Sequence, residues 1–121
     1  MKILKILTRV YSVNPESDIP FYETLFNIKC GRIIDYKEMG LQLALMGNVL
    51  IICGTGKALE PFRETAATFL VDSVDDYKKY LLENNAEIVW DVKKVPTGLN
   101  MTVKHSDGII IEYVEFMTMH S

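Results

Sequence analysis

The sequence predicts an α+β fold of two βαβββ modules whose curved sheets form a cup, and two observations carry that prediction. The chain divides near Gly54-Thr55-Gly56-Lys57-Ala58-Leu59-Glu60-Pro61, the one stretch that reads as loop. Each side of it runs strand, helix, then three strand-like segments. Each half also carries one amphipathic helix for four strands, too little to cover both faces of its sheet. Two such sheets side by side are expected to enclose a cavity between concave faces. With 121 residues, the chain is expected to be a single domain. Module 1 covers about 1–54, a linker about 55–64, and module 2 about 65–121.

The elements follow in order. Residues 3–12 read as a strand rich in β-formers such as Val10 and Tyr11. Asn14-Pro15-Glu16-Ser17-Asp18 supplies turn chemistry, with Ser17 or Asp18 as the helix cap and Pro20 in the first turn. Ile19, Phe21, Tyr22, Leu25 and Phe26 then form a helical apolar stripe. Strands are expected over about 28–37, 41–46 and 49–53. In the second half, Ala66 to Asp72 reads as a strand, and Asp72 or Ser73 caps a helix over 74–84. That helix should bury Val74, Tyr77, Tyr80 and Leu81. Strands over Glu87–Lys94, Leu99–His105 and Ile109–Phe116 complete the copy.

Composition narrows the function. Hydrophobic residues make up 49% of the chain and charged residues 24%, with a net charge of -3, an ordinary globular balance. Basic residues are scattered, so the concentrated cationic surface of a nucleic-acid binder is missing. The apolar run at the start is interrupted by Lys5 and Arg9, which excludes a signal peptide or membrane span there and predicts a cytoplasmic protein. Cys30 and Cys53 lack Cys-x-x-Cys spacing and are expected to be free, unreactive thiols.

The functional question turns on Glu112. Asp107-Gly108 is a tight-turn pair, and the strand after it places Ile110, Glu112 and Val114 on one face and Ile109, Ile111 and Tyr113 on the other. Both faces are mostly apolar, so the carboxylate of Glu112 must be paired, protonated or bound to a cation. Arg9 is a candidate partner, and an Arg9–Glu112 pair would anchor a polar ligand group; the alternative is that Arg9 runs out to solvent or pairs at a subunit boundary while Glu112 faces water. Tyr11, Tyr36 and Trp90 are strand aromatics suited to stacking on a flat ligand. Met46 and Thr68 complete the candidate ligand-binding set, and Met39, Met101 and Met117 suit pocket wall or core alike. His105 precedes the Asp-Gly turn and is expected at the surface; His120, near the last residue, is expected to be mobile. Gly54-Thr55-Gly56-Lys57 lacks the spacing of a phosphate loop and reads as linker.

Three segments together resemble the vicinal oxygen chelate superfamily, which includes glyoxalase I, extradiol dioxygenases and bleomycin-resistance proteins. They are Asp18 to Ile28, with Phe21-Tyr22 and Leu25; Phe69-Leu70-Val71-Asp72-Ser73-Val74-Asp75; and Pro96-Thr97-Gly98 through Asp107-Gly108 to Glu112. The resemblance implies the cup fold and a homodimer. Its metal-ligand positions fall on Leu7, on Leu50-Ile51-Ile52, on Ala66 (or Ala67) and on Glu112, of which only the last can bind a metal. No cofactor is therefore expected, and a divalent metal is disfavoured. The leading expectation is a metal-free small-molecule binding protein of the bleomycin-resistance type. The alternatives are a lyase, isomerase or transferase using Glu112 as general base (its pKa raised by burial) or as partial metal ligand, and a regulatory module with its cavity filled by Leu7, Met46 and Ile51.

Overall fold

The structure is a computed structural model that describes residues 1–116. His120 and Met117 lie outside the described residues. The chain forms two compact units: Thr8–Glu64, and Met1–Leu7 together with the chain from Thr65 onward. The first strand, β1 (Ile3–Ser12), is divided between them.

In the unit Thr8–Glu64, β1 leads to α1 (Pro15–Phe26), then β2 (Arg32–Tyr36), β3 (Leu41–Met46) and β4 (Val49–Cys53). The strand order is β2-β3-β4-β1, antiparallel except for the parallel pair β1/β4, in which Arg9 stands opposite Leu50 and Tyr11 opposite Ile52. Ala44, Met46, Ile51 and Cys53 make the core, and Ile19 and Tyr22 of α1 pack on it.

Helix α1 begins earlier than the cap residues predicted. Asn14 is the N-cap, Pro15 opens the helix, and the amides of Ser17 and Asp18 both donate to the Asn14 carbonyl. Proline at the start costs nothing because its missing N–H would have had no helical partner. Pro20 consequently lies inside the helix. Asp18 is drawn elsewhere: its carboxylate accepts from Ser12 Oγ at 2.6 Å. The helix ends on Asn27, at φ 56°, whose left-handed backbone lets the Ile28 amide reach the Glu23 carbonyl. The predicted stripe is only half used, since Phe21, Leu25 and Phe26 remain exposed. The strand expected over 28–37 is confined to β2, and the stretch from 56 that read as loop is helical. It forms α2 (Gly56–Leu59), capped by Thr55 Oγ1, and a 3-10 turn over Glu60–Phe62.

In the other unit, β5 (Ala67–Val71) is followed by α3 (Val74–Glu83), β6 (Glu87–Val95), β7 (Gly98–Lys104) and β8 (Ile110–Phe116). The order is β1-β5-β8-β7-β6, with β5/β8 parallel and β8/β7 and β7/β6 antiparallel. The start of β1 is tied in where the Asp72 amide donates to the Lys2 carbonyl and the Lys2 amide donates to Asp72 Oδ1. Helix α3 matches its prediction at the start: Ser73 Oγ accepts from the Asp76 amide, and Glu115 Oε1 accepts from the Val74 amide. Val74, Tyr77 and Leu81 pack on Val71, Met101, Val103, Ile111 and Tyr113, whereas Tyr80, expected in that face, is exposed. The Asp-Gly turn forms as predicted, with Gly108 at φ +94° and Asp107 Oδ1 accepting from the Ile109 amide. No described helix is long and apolar enough to cross a membrane.

Candidate functional site

The alternation read from the sequence sorts β8 into two environments. Ile111 and Tyr113 join the core under α3, so Glu112 points to the opposite face of the sheet. There its neighbours in register are Thr68 on β5 and Thr102 on β7, both buried. Thr68 Oγ1 donates to Glu112 Oε1 at 2.9 Å, and Asn100 Nδ2 donates to Glu112 Oε2 at 3.1 Å. Each carboxylate oxygen therefore accepts from a neutral donor, which fixes the orientation of the half-buried carboxylate. Of the predicted site residues, Thr68 and Glu112 are brought together. Asn100 and Thr102 were missed; the available signal was two polar residues at alternate positions of an otherwise apolar strand.

Arg9 and Tyr11 form a second cluster, within the unit Thr8–Glu64. They are two positions apart on β1 and so share a face. Arg9 Nε donates to the Tyr11 hydroxyl at 2.7 Å, and that hydroxyl donates to the Phe62 carbonyl. The Arg9 guanidinium lies 5.4 Å from the Tyr11 ring centroid and that of Arg63 lies 5.6 Å from it. Sequence reasoning could not find Arg63, because its link to Tyr11 spans most of the unit and carries no local pattern.

The remaining candidates are placed separately within their own units. Tyr36 ends β2, half-buried, opposite Leu41. Met46 is buried in the core with Ala44 and Ile51, under α1. Trp90 is exposed on β6, at an irregularity in the pairing with β7. A groove of about 520 Å³ opens in the unit Thr8–Glu64, lined among others by Val13, Asp35, Lys37, Leu41, Gln42 and Thr55, and by none of the predicted site residues. Its polar wall is ordered by Gln42 Nε2 donating to Asp35 Oδ1 at 3.0 Å.

The residues at the superfamily's ligand positions do not fit a divalent ion. Leu7, Leu50, Ile51 and Ile52 are buried hydrocarbon, and Ala66 or Ala67 has no donor. Such ions take about four to six donors. Among the described residues, no three His, Cys, Asp or Glu side chains are grouped to hold a metal. Both thiols are free. Burial pushes the pKa of each up, aided at Cys30 by Glu23 and at Cys53 by Asp18 and Cys30.

His105 is half-buried, its Nε2 only 2.6 Å from the hydroxyl of Tyr113. Tyr113 is enclosed by Phe69 and Tyr77, and burial, with a smaller contribution from Tyr77, pushes its pKa up to about 12. The phenol therefore keeps its proton at neutral pH, and its hydroxyl shares one hydrogen bond with Nε2. This bond ties the β7–β8 turn to the core.

No protein-family model and no curated protein matches the chain. Solved structures do. A crystal structure of an uncharacterised protein from Methanosarcina mazei is 47% identical, with a TM-score of 0.88, covering 100% of this chain and 98% of that one. Methylmalonyl-CoA epimerase from Mycobacterium tuberculosis is similar at 11% identity and TM-score 0.76, covering 96% and 90% of the two chains. The Streptomyces coelicolor methylmalonyl-CoA epimerase, solved with 2-nitronate-propionyl-CoA, is similar at 14% identity and TM-score 0.71, covering 97% and 100%. The fold is thus α+β of the glyoxalase/bleomycin-resistance type, as the sequence predicted.

Proposed function

This chain belongs to one family with the Methanosarcina mazei protein, and we propose that it is a metal-free small-molecule binding protein of the vicinal oxygen chelate superfamily. The observation that carries the reading is the orientation of Glu112. A carboxylate held by the hydroxyl of Thr68 and the amide of Asn100 is presented in a set direction, as recognition of a polar ligand group requires. Arg9 and Tyr11 are proposed as ligand contacts within the unit Thr8–Glu64, and the exposed indole of Trp90 offers a stacking surface within the other unit. A cytoplasmic homodimer completes it, supported by the exposed apolar side of α1, where Phe21 is 59% and Leu25 60% accessible.

The test is calorimetric titration of the purified protein with 2-nitronate-propionyl-CoA, the ligand in the Streptomyces structure, and with a panel of small aromatic acids. Saturable binding weakened about tenfold or more in Glu112→Ala supports the reading. Binding indifferent to that substitution removes Glu112 from it. Elemental analysis of the same preparation checks the metal: one ion per chain, lost in Glu112→Ala, would sink the metal-free reading.

An isomerase is the second reading, favoured by the epimerases among the structural neighbours. Glu112 would then act as a general base, taking a proton from carbon next to a carbonyl. Glu112-dependent uptake of solvent deuterium by methylmalonyl-CoA would place it first.

A further inference from the structure

We infer that Thr102 and Trp90 extend the Glu112 site into a binding row for a flat aromatic ring bearing a hydroxyl group. The indole meets the ring and the threonine meets its hydroxyl. This deepens the small-molecule reading above, on which it rests, by naming the class of ligand. Every residue of the row belongs to the unit that continues from Thr65.

Strand pairing sets the row. Thr102 of β7 stands opposite Glu112 of β8 on one side and opposite Trp90 of β6 on the other. Partners in register point to the same face of a sheet. Met101 and Val103, on either side of Thr102, pack under α3, so Thr102 faces the opposite way. Thr68, Glu112, Thr102 and Trp90 therefore form one line across β5, β8, β7 and β6, on strands about 4.8 Å apart.

Trp90 joins that line through two irregularities in β6. Ile88 and Val92 both pack on the core under α3. In a regular strand Trp90, two positions from each, would share their side. The pairing with β7 instead shifts between Ile88 and Trp90 and again between Trp90 and Lys93, one extra β6 residue each time. The paired shifts turn the indole to the face of Thr102, where it is 40% accessible. A large ring taken out of the core in this way offers its accessible surface to another ring.

Thr102 supplies an independent observation. It is 6% accessible, and among the described residues its hydroxyl has no hydrogen-bond partner, although it is not sealed from solvent. Valine would fill the same space, and an unsatisfied hydroxyl set so deep is unfavourable. A ligand hydroxyl satisfies it. That group accepts from Thr102 and donates toward Glu112, whose oxygens can each accept more than one hydrogen bond. The ring that carries it then lies one strand further, against Trp90.

The test titrates the protein with 2-naphthol and, separately, with 2-methoxynaphthalene, which keeps the ring and cannot donate. Trp90 is the only tryptophan, so its indole Nε1–H resonance reports the site. The expected result is a saturable shift of that resonance by 2-naphthol, with the ether bound about tenfold or more weakly. Thr102→Val is expected to weaken 2-naphthol about tenfold, to leave the ether unaffected, and to keep or raise the thermal midpoint. Trp90→Ala should weaken both compounds, read from the heat of binding. An indole resonance undisturbed by 2-naphthol, or an unchanged dissociation constant in Thr102→Val, overturns the inference. Equal affinity for naphthol and ether in the unmodified protein does the same, whatever the variants' stability. The two readings fail separately. Glu112-dependent binding of 2-nitronate-propionyl-CoA without naphthol binding condemns the inference alone. Thr102-dependent naphthol binding, with no ligand whose affinity depends on Glu112, condemns the proposed function alone.

Discussion

Thr68 and Glu112 stand directly opposite each other on the parallel strands β5 and β8, and the threonine hydroxyl donates to the carboxylate at 2.9 Å. Thr68 is 2% accessible, so water has little access to its side of the bond. Thr68→Val keeps the shape and removes the donor. It is expected to cost about 1–2 kcal/mol, read from the urea midpoint. In a Glu112→Ala background the same change should cost distinctly less, because the acceptor has gone. Equal costs in both backgrounds would show that the bond contributes nothing.

Tyr113 predicts an alkaline limit to stability. Its pKa is about 12 in the folded protein against about 10 for an ordinary phenol, so the folded state holds its proton more tightly than the unfolded one. The stabilisation is complete below pH 10 and is lost as pH rises from about 10 to about 12, at close to 1.4 kcal/mol per unit. Tyr77 is shifted upward as well, chiefly by burial, and acts in the same direction. Tyr113→Phe should flatten the fall in stability between pH 10 and 12 without abolishing it. An unchanged slope would show that Tyr113 is not the group responsible.

The cysteines should react slowly with an aromatic disulfide reagent at pH 7, since the thiolate is the attacking species and burial raises both thiol pKa values. Cys30, half-buried, is expected to react before Cys53, which is 3% accessible. Unfolding in guanidinium should bring both to the rate of a free thiol. Rapid modification of Cys53 in the native protein would contradict its position in the core.

Ser73→Ala removes the hydroxyl that caps α3 and is expected to cost about 1 kcal/mol, lowering the thermal midpoint by roughly 4 °C. Thr55→Ala caps only a four-residue helix and should cost less. The comparison is made by differential scanning calorimetry on the two single variants.

Much of the fold was legible because local signals agreed with one another. The Asp107-Gly108 turn, the Ser73 cap and the two-residue period of β8 each appear in the structure where the sequence placed them. Pro20 suits the first turn of a helix, yet it lies inside α1, because Asn14 and Pro15 carry the start. The α1 stripe misled in another way, since periodicity identifies a helix and not how much of its apolar side is covered. At the candidate site, Glu112 was legible as a carboxylate on an apolar strand, and its need for hydrogen-bond partners followed from desolvation alone. Asn100 and Arg63 were not, because a donor on a neighbouring strand or beyond a turn leaves no mark near the residue it serves.

The division of β1 between Leu7 and Thr8 has a consequence for how this chain can be cut. In sequence order the molecule reads as two similar halves joined end to end, which invites gene fission at Glu64. A fragment starting at Thr65 would lack Met1–Leu7, and with it the carbonyl of Lys2 that accepts from Asp72. It would be left with β5 as a bare sheet edge, open to pairing with any passing strand. The fragment that begins at Thr65 is thus not a complete unit of the fold. A permuted chain that begins at Thr8 and carries Met1–Leu7 after Ser121 through a linker would keep every residue of each unit contiguous.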